Sequence, residues 1–160
     1  MALPQHLQET LFNIGKGSTF AVLDGAVLAN LPDRLASSGL KYACLYSGEA
    51  ATNLGEVAPY LVRLEAEENL TQQLLTDGDA PWHNWSDPIG LFLQSNSDFS
   101  DLRAHLRKFT RLLKWDTGSW VLFRFWQADI LAGLALQGPY DLTSALLHPS
   151  AVSRALLPCG

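Results

Sequence analysis

The apolar positions of this chain change their period several times, and each change marks an element. Leu3, Leu7, Leu11 and Ile14 recur at spacings of four, four and three, one stripe on a short helix that Gly15 and Gly17 stop. Thr19 to Leu23 is apolar at nearly every position, which predicts a strand buried on both faces, as in parallel sheets. Asp24-Gly25 ends that strand, and Val27, Leu28, Leu31 and Leu35 predict a helix over 26–37, closed by Gly39. Further strands are predicted over 41–46, 59–64, 89–94 and 120–126, and helices over 66–76 and 127–136. The clearest helix runs from Asp98 to Trp115, where Leu102, Leu106, Phe109 and Leu113 recur at four, three and four. Ser97 or Ser100 can cap its first N–H groups, and Asp98 and Asp101 suit the positive end of its dipole.

Strands alternating with helices predict an α/β fold with a mixed, mostly parallel sheet of about five strands flanked by helices. We read 1–17 as an N-terminal helix, 18–136 as a single α/β domain and 137–160 as an apolar C-terminal tail. The tail holds Leu142, Leu146, Leu147, Val152, Leu156 and Leu157, and the only charges after Asp129 are Asp141 and Arg154. So apolar a segment either packs back on its own sheet or meets another chain.

Composition sharpens this picture at a few points. At 160 residues the chain fits one core. Only 17% of it is charged and five residues are Trp, which suggests more apolar surface than a lone monomer needs. A net charge of −5 argues against general nucleic-acid binding. Neither a signal peptide nor an uninterrupted apolar run of membrane-spanning length is visible, and Cys44 and Cys159 form no metal or redox motif. A cytoplasmic protein without a membrane partner is expected.

The charge is unevenly spread. Segment 49–101 carries ten acids and one base, whereas 103–124 carries six bases and one acid. On the predicted helix Arg103, Arg107, Arg111 and Lys114 share a face, which is either a solvated surface or a basic ridge for an acidic partner.

Catalytic signatures are not found. Gly15-Lys16-Gly17-Ser18 lacks the first glycine of a phosphate loop, since position 10 is Thr10, and it precedes a strand instead of following one. The histidines His6, His83, His105 and His148 are scattered without zinc spacing, and no G-x-S-x-G elbow surrounds a serine. Cys44 lies in an apolar strand, where a thiol is inert. We expect no catalytic residue, no metal and no cofactor. A runner-up reading keeps a small ligand-binding or hydrolytic domain open. It would use Asp24, at the end of a buried strand, and the 82–87 loop with Trp82, His83 and Trp85.

Arg124 stands between Phe123 and Phe125, so strand alternation turns it to the opposite face. If buried, it needs a carboxylate or carbonyls, and Asp24 is a candidate partner; otherwise it is an anchor facing a partner. His105 is expected to lean to the core side of its helix and Arg107 outward.

Three segments together resemble a known family. They are Phe20 to Ala26; Leu45 to Ala50 running into Val57 to Leu64; and Leu102 to Phe109 followed by Val121 to Phe125. Their order and spacing look like the adaptor-chaperones of type VI secretion effectors, a domain long catalogued without a function. After Phe125 this chain reads Trp126-Gln127-Ala128-Asp129, where family members commonly carry an aromatic residue and then Asp-Pro-Arg. The resemblance implies a non-catalytic cytoplasmic protein that binds a toxic effector and passes it to a VgrG-type spike. It makes Asp24, His105, Arg124 and Phe125 family-motif residues. Arg103, Arg107, Arg111, Trp126, Leu146 and Leu147 are then the expected partner contacts, with homo-oligomerisation left open.

Overall fold

In the computed structural model, residues 3–13, 17–137 and 140–156 are described, the side chains of 135–137, 140 and 141 excepted. Lys16 of the phosphate-loop-like stretch, Leu157 and Cys159 lie outside them. The chain opens with α1 (Gln5–Leu11), whose Leu7 and Leu11 are buried together with Leu3. The Leu11 carbonyl accepts from the Thr19 hydroxyl and from Gln94 Nε2 at 3.1 Å, tying the helix to the sheet below it.

The sheet has β1 (Ser18–Asp24), β2 (Tyr42–Cys44), β3 (Pro59–Arg63), β4 (Gly90–Ser95) and β7 (Arg154–Leu156), ordered β2-β3-β1-β4-β7. Every neighbouring pair is antiparallel, which corrects the expectation of a mostly parallel sheet. The reason lies in how the strands interleave. β1 and β2 run the same way, joined through α2 (Leu31–Ala36), but β3 is inserted between them. β3 and β4 also share a direction, joined through α4 (Asn69–Leu74), with β1 inserted between. Each helical crossover therefore skips one strand, a split β-α-β arrangement. The apolar run in β1 and β4 reports that both faces are covered, which says nothing about strand direction.

Leu31, Leu35, Leu70, Leu74, Leu102 and Leu106 pack their helices on this sheet with almost no exposure. Each such leucine stabilises the fold by roughly 2 kcal/mol. α3 (Gly48–Leu54) and a short 3-10 turn fill the link between β2 and β3. There the Tyr60 hydroxyl donates to the Gly55 carbonyl at 2.8 Å. Burial pushes the Tyr60 phenol up to about 12.

The helix expected from Asp98 to Trp115 ends early. α5 covers Phe99–Arg107, and Thr110, its hydroxyl bonded to the Arg107 carbonyl at 2.9 Å, stops the turn. Residues read as the rest of that helix form β5 (Arg111–Leu113) instead. It pairs with β6 (Trp120–Leu122) in a separate two-stranded hairpin, so 120–126 is not a fifth strand of the main sheet. α6 (Ala128–Gln137) and α7 (Tyr140–Leu146) follow. The segment read as a tail then supplies edge strand β7 against β4, and Leu146 and Val152 enter the core. Among the described residues no helix is long and apolar enough to cross a membrane.

Gly90 opens β4 at a φ of +148°, and a Cβ there would run into the Val22 carbonyl oxygen. Backbone cannot give way as a flexible side chain can, so Gly90→Ala is expected to cost more than about 2 kcal/mol. Urea unfolding followed by Trp fluorescence reads this cost as a lower transition midpoint.

Candidate partner-binding site

The antiparallel topology gathers one set of chain ends. The C-terminal ends of β1 and β2 and the N-terminal ends of β3 and β4 meet at one end of the sheet, with Asp24 opposite Pro59, Leu23 opposite Gly90 and Cys44 opposite Tyr60. Asp24 is buried there. Its Oδ1 accepts from the Ala26 N–H at 2.9 Å, a side-chain turn that redirects the backbone after β1. It does not cap the following helix, which begins only at Leu31 behind a left-handed Asn30.

Arg124 reaches this carboxylate: its Nη2 lies 3.6 Å from Asp24 Oδ1. The pairing expected from the rule that a buried charge must find its opposite is thus present. The same segment drives Phe125 and Trp126 into the core, both with no exposed surface. Tyr46, from the end of β2, meets Trp126 edge-on at 6.2 Å between ring centres. Burial raises the Tyr46 phenol, and the nearby Arg124 charge opposes that shift.

From this root the chain runs outward as the β5–β6 hairpin. The Phe123 N–H donates to the Thr110 carbonyl at 2.8 Å, and the Lys114 N–H to Ser119 at 2.9 Å, so the ladder continues past both ends of the strands. Gly118 turns the tip at a φ of +68°. The hairpin is apolar yet uncovered: Trp115 is 94% exposed, Trp120 64%, Leu113 54% and Leu122 47%. The Arg111 guanidinium lies 5.9 Å from the Trp120 ring centre, holding one face of the hairpin in order.

Beside the hairpin is a groove of about 310 Å³, bounded by Tyr46, Ala50, Arg107, Lys108, Arg111 and Leu122 among others. Among the described residues Arg107, Lys108 and Arg111 make no ion pair. The groove therefore combines three cations that no carboxylate neutralises, Arg111 among them over Trp120, with apolar walls. Arg107 and Arg111 both line this groove, but α5 ends at Arg107 and Arg111 stands on β5, so the single helical face expected of Arg103, Arg107, Arg111 and Lys114 does not form.

Other expected contacts sit elsewhere. Arg103 donates through Nε and Nη2 to the Cys44 carbonyl at 3.2 and 3.0 Å, which pins α5 to the end of β2. Trp126 and Leu146 are enclosed in the chain's own core, and Leu147 packs half-buried against it, so in this fold they face inward. Apolar character put them on the partner side, but it does not distinguish a core from an interface. His105 leans inward as expected. Its Nε2 lies 2.8 Å from the Leu146 carbonyl and must carry the proton there, since a carbonyl only accepts.

The exposed aromatic positions were missed because Leu113 completes a helical repeat and hid the hairpin. The signal was present in Asp116-Thr117-Gly118 between two apolar runs, a hairpin turn as much as a helix-to-strand turn. The 82–87 loop divides. Trp85 packs on Phe92 at 5.9 Å, Asn84 accepts from Arg34 at 3.1 Å, and Ser86 and Asp87 alone join Asp24 around a cleft. Among the described residues no group of three or more His, Cys, Asp or Glu side chains could hold a metal ion.

Fold and site together define a single mixed α/β domain with an antiparallel sheet and a surface, open to solvent, at one sheet end. The profile of the family described as a domain of unknown function, DUF4123, matches residues 19–140, and the chain belongs to that family. Comparison with curated proteins and with solved structures finds no match.

The ion pair should hold the hairpin root to the sheet. Arg124→Met leaves the Asp24 carboxylate buried without its cation, and because Arg124 is 39% exposed the loss is expected at about 2–3 kcal/mol, below that of a fully enclosed pair. Asp24→Asn combined with Arg124→Met should cost less than the sum of the two, by more than about 1 kcal/mol, in a double-mutant cycle of urea midpoints.

Proposed function

We propose that this protein is a non-catalytic adaptor that binds a type VI secretion effector and helps load it on the VgrG-type spike. Family membership and the three resembling segments supply the context. The observation that carries the reading is the hairpin: four large apolar side chains exposed on a two-stranded element that the rest of the fold does not cover. Water-exposed Trp and Leu in such a cluster are costly for an isolated protein and suit the buried centre of an interface. The adjoining cations of Arg107, Lys108 and Arg111 give that interface a sign, favouring an acidic partner segment. Such charge steers encounter, while the hairpin side chains supply affinity.

The reading predicts a separable effect. Trp115 and Leu113 have no core role, so Leu113→Ser with Trp115→Ser should leave the unfolding midpoint nearly unchanged, within about 0.5 kcal/mol. The same variant should bind the proposed effector partner at least tenfold more weakly by calorimetry, a loss of about 1.4 kcal/mol. Unchanged affinity removes the hairpin from the interface.

A further inference from the structure

The β5–β6 hairpin is a two-stranded sheet, and among the described residues neither of its outer edges is paired with another strand. Its ladder runs through the Thr110–Phe123 and Lys114–Ser119 pairs. Antiparallel alternation therefore turns the backbone groups of Arg111 and Leu113 away from β6, and those of Trp120 and Leu122 away from β5. Among the described residues none of these four N–H groups donates to another backbone carbonyl. The side chains of the same four residues stand opposite one another on the exposed face of the hairpin, whereas Leu112 and Val121 on the other face are half-buried. A lone two-stranded ribbon is marginal in water, and an open edge beside exposed apolar side chains is a template for a further strand. The two edges differ in charge. Residues 119–123, around β6, carry none, whereas β5 holds Arg111 and runs into Lys114. Arg107 and Lys108 add to this sign in the groove that Thr110 and Arg111 help to line.

We infer that the segment of the partner that docks here is extended and acidic, and adds a third strand to the free edge of β5. The inference rests on the reading of the hairpin as the docking surface, and it says what chemistry sits there. Main-chain bonds to Arg111 and Leu113 supply a pairing that any extended sequence can make, and the side chains supply the choice. Side chains of the added strand alternate as well, so those on the exposed face fall beside Arg111 and Leu113. An acid suits the first position and an apolar residue the second, two residues apart, in the order that the strand direction sets. A helix laid on the same face makes its backbone bonds internally and leaves the edge unpaired. A second copy of this chain is the competing occupant, and charge opposes it. Pairing β5 with β5 crowds Arg111 and Lys114 of both copies together, and each copy carries a net charge of −5.

The test titrates the full chain with the peptide acetyl-Glu-Val-Glu-Val-Glu-Val-amide, followed by amide NMR and hydrogen exchange. Separate arms use the same peptide N-methylated at every residue and its counterpart with Lys in place of Glu. The acidic peptide should bind saturably in the millimolar range and slow exchange of the Arg111 and Leu113 amides at least tenfold, while the Trp120 and Leu122 amides stay fast. The N-methylated and lysine peptides should do neither. Leu113→Pro removes an edge N–H that the hairpin's own ladder does not use, so the spectrum should stay folded. That variant should weaken the acidic peptide at least fivefold, and Leu113→Val should not. If the proline variant loses the hairpin, the N-methylated peptide decides the matter. Equal binding of the N-methylated or lysine peptide, protection of Trp120 and Leu122 instead, or no saturable binding would each overturn the inference. So would a dimer of the chain alone, seen by sedimentation, that protects the Arg111 and Leu113 amides. No arm contains an effector, so failure of the adaptor reading is seen separately, in effector binding that Leu113→Ser with Trp115→Ser does not weaken.

Discussion

Asp24 ends a central strand with its carboxylate out of water, and a buried carboxylate holds its charge only where a cation and donors are at hand. Arg124 is that cation, and it comes from a segment exactly one hundred residues later in the chain only because the hairpin folds back to the sheet end. Much follows from this contact. With Arg124 fixed, Phe125 and Trp126 fill the core beside Tyr46, and the hairpin leaves the body at a set place. Arg103 on the Cys44 carbonyl and His105 on the Leu146 carbonyl fix α5 against both sheet and C-terminal segment.

Much of this was legible in the sequence, for physical reasons. The strands at 59–63 and 90–95 and the strand ending at Asp24 are buried on both faces, and runs of apolar residues report such burial directly. The pairing of Arg124 with Asp24 was legible because the cost of an unpaired buried charge leaves few alternatives. Strand direction was not, because cover on both faces arises in interleaved antiparallel sheets as well as parallel ones. The overrun of α5 came from Leu113, whose spacing from Phe109 continues the helical period although the backbone has turned at Thr110. Trp126 and Leu146 show a general limit: large apolar side chains suit a core and an interface equally, and only tertiary structure separates the two.

The two concavities are opposite in sign. The groove beside the hairpin offers Arg107, Lys108 and Arg111, while the cleft beyond the ion pair offers Asp87 and Asp129. The basic groove draws on the segment 103–124, whereas the acidic cleft takes Asp87 from 49–101 and Asp24 and Asp129 from outside it. A partner that spans both must carry the complementary order, which gives orientation as well as attraction. Beside the basic groove the hairpin adds the apolar area that charge alone does not provide.

The account turns on whether the hairpin and its groove are where another protein sits. Hydrogen-exchange mass spectrometry of the full chain, alone and in the presence of a protein partner captured with it from its host, addresses this directly. Protection concentrated in 107–124 and 45–50 is the predicted result. A stable complex whose protection falls elsewhere, or no complex at all, would contradict it.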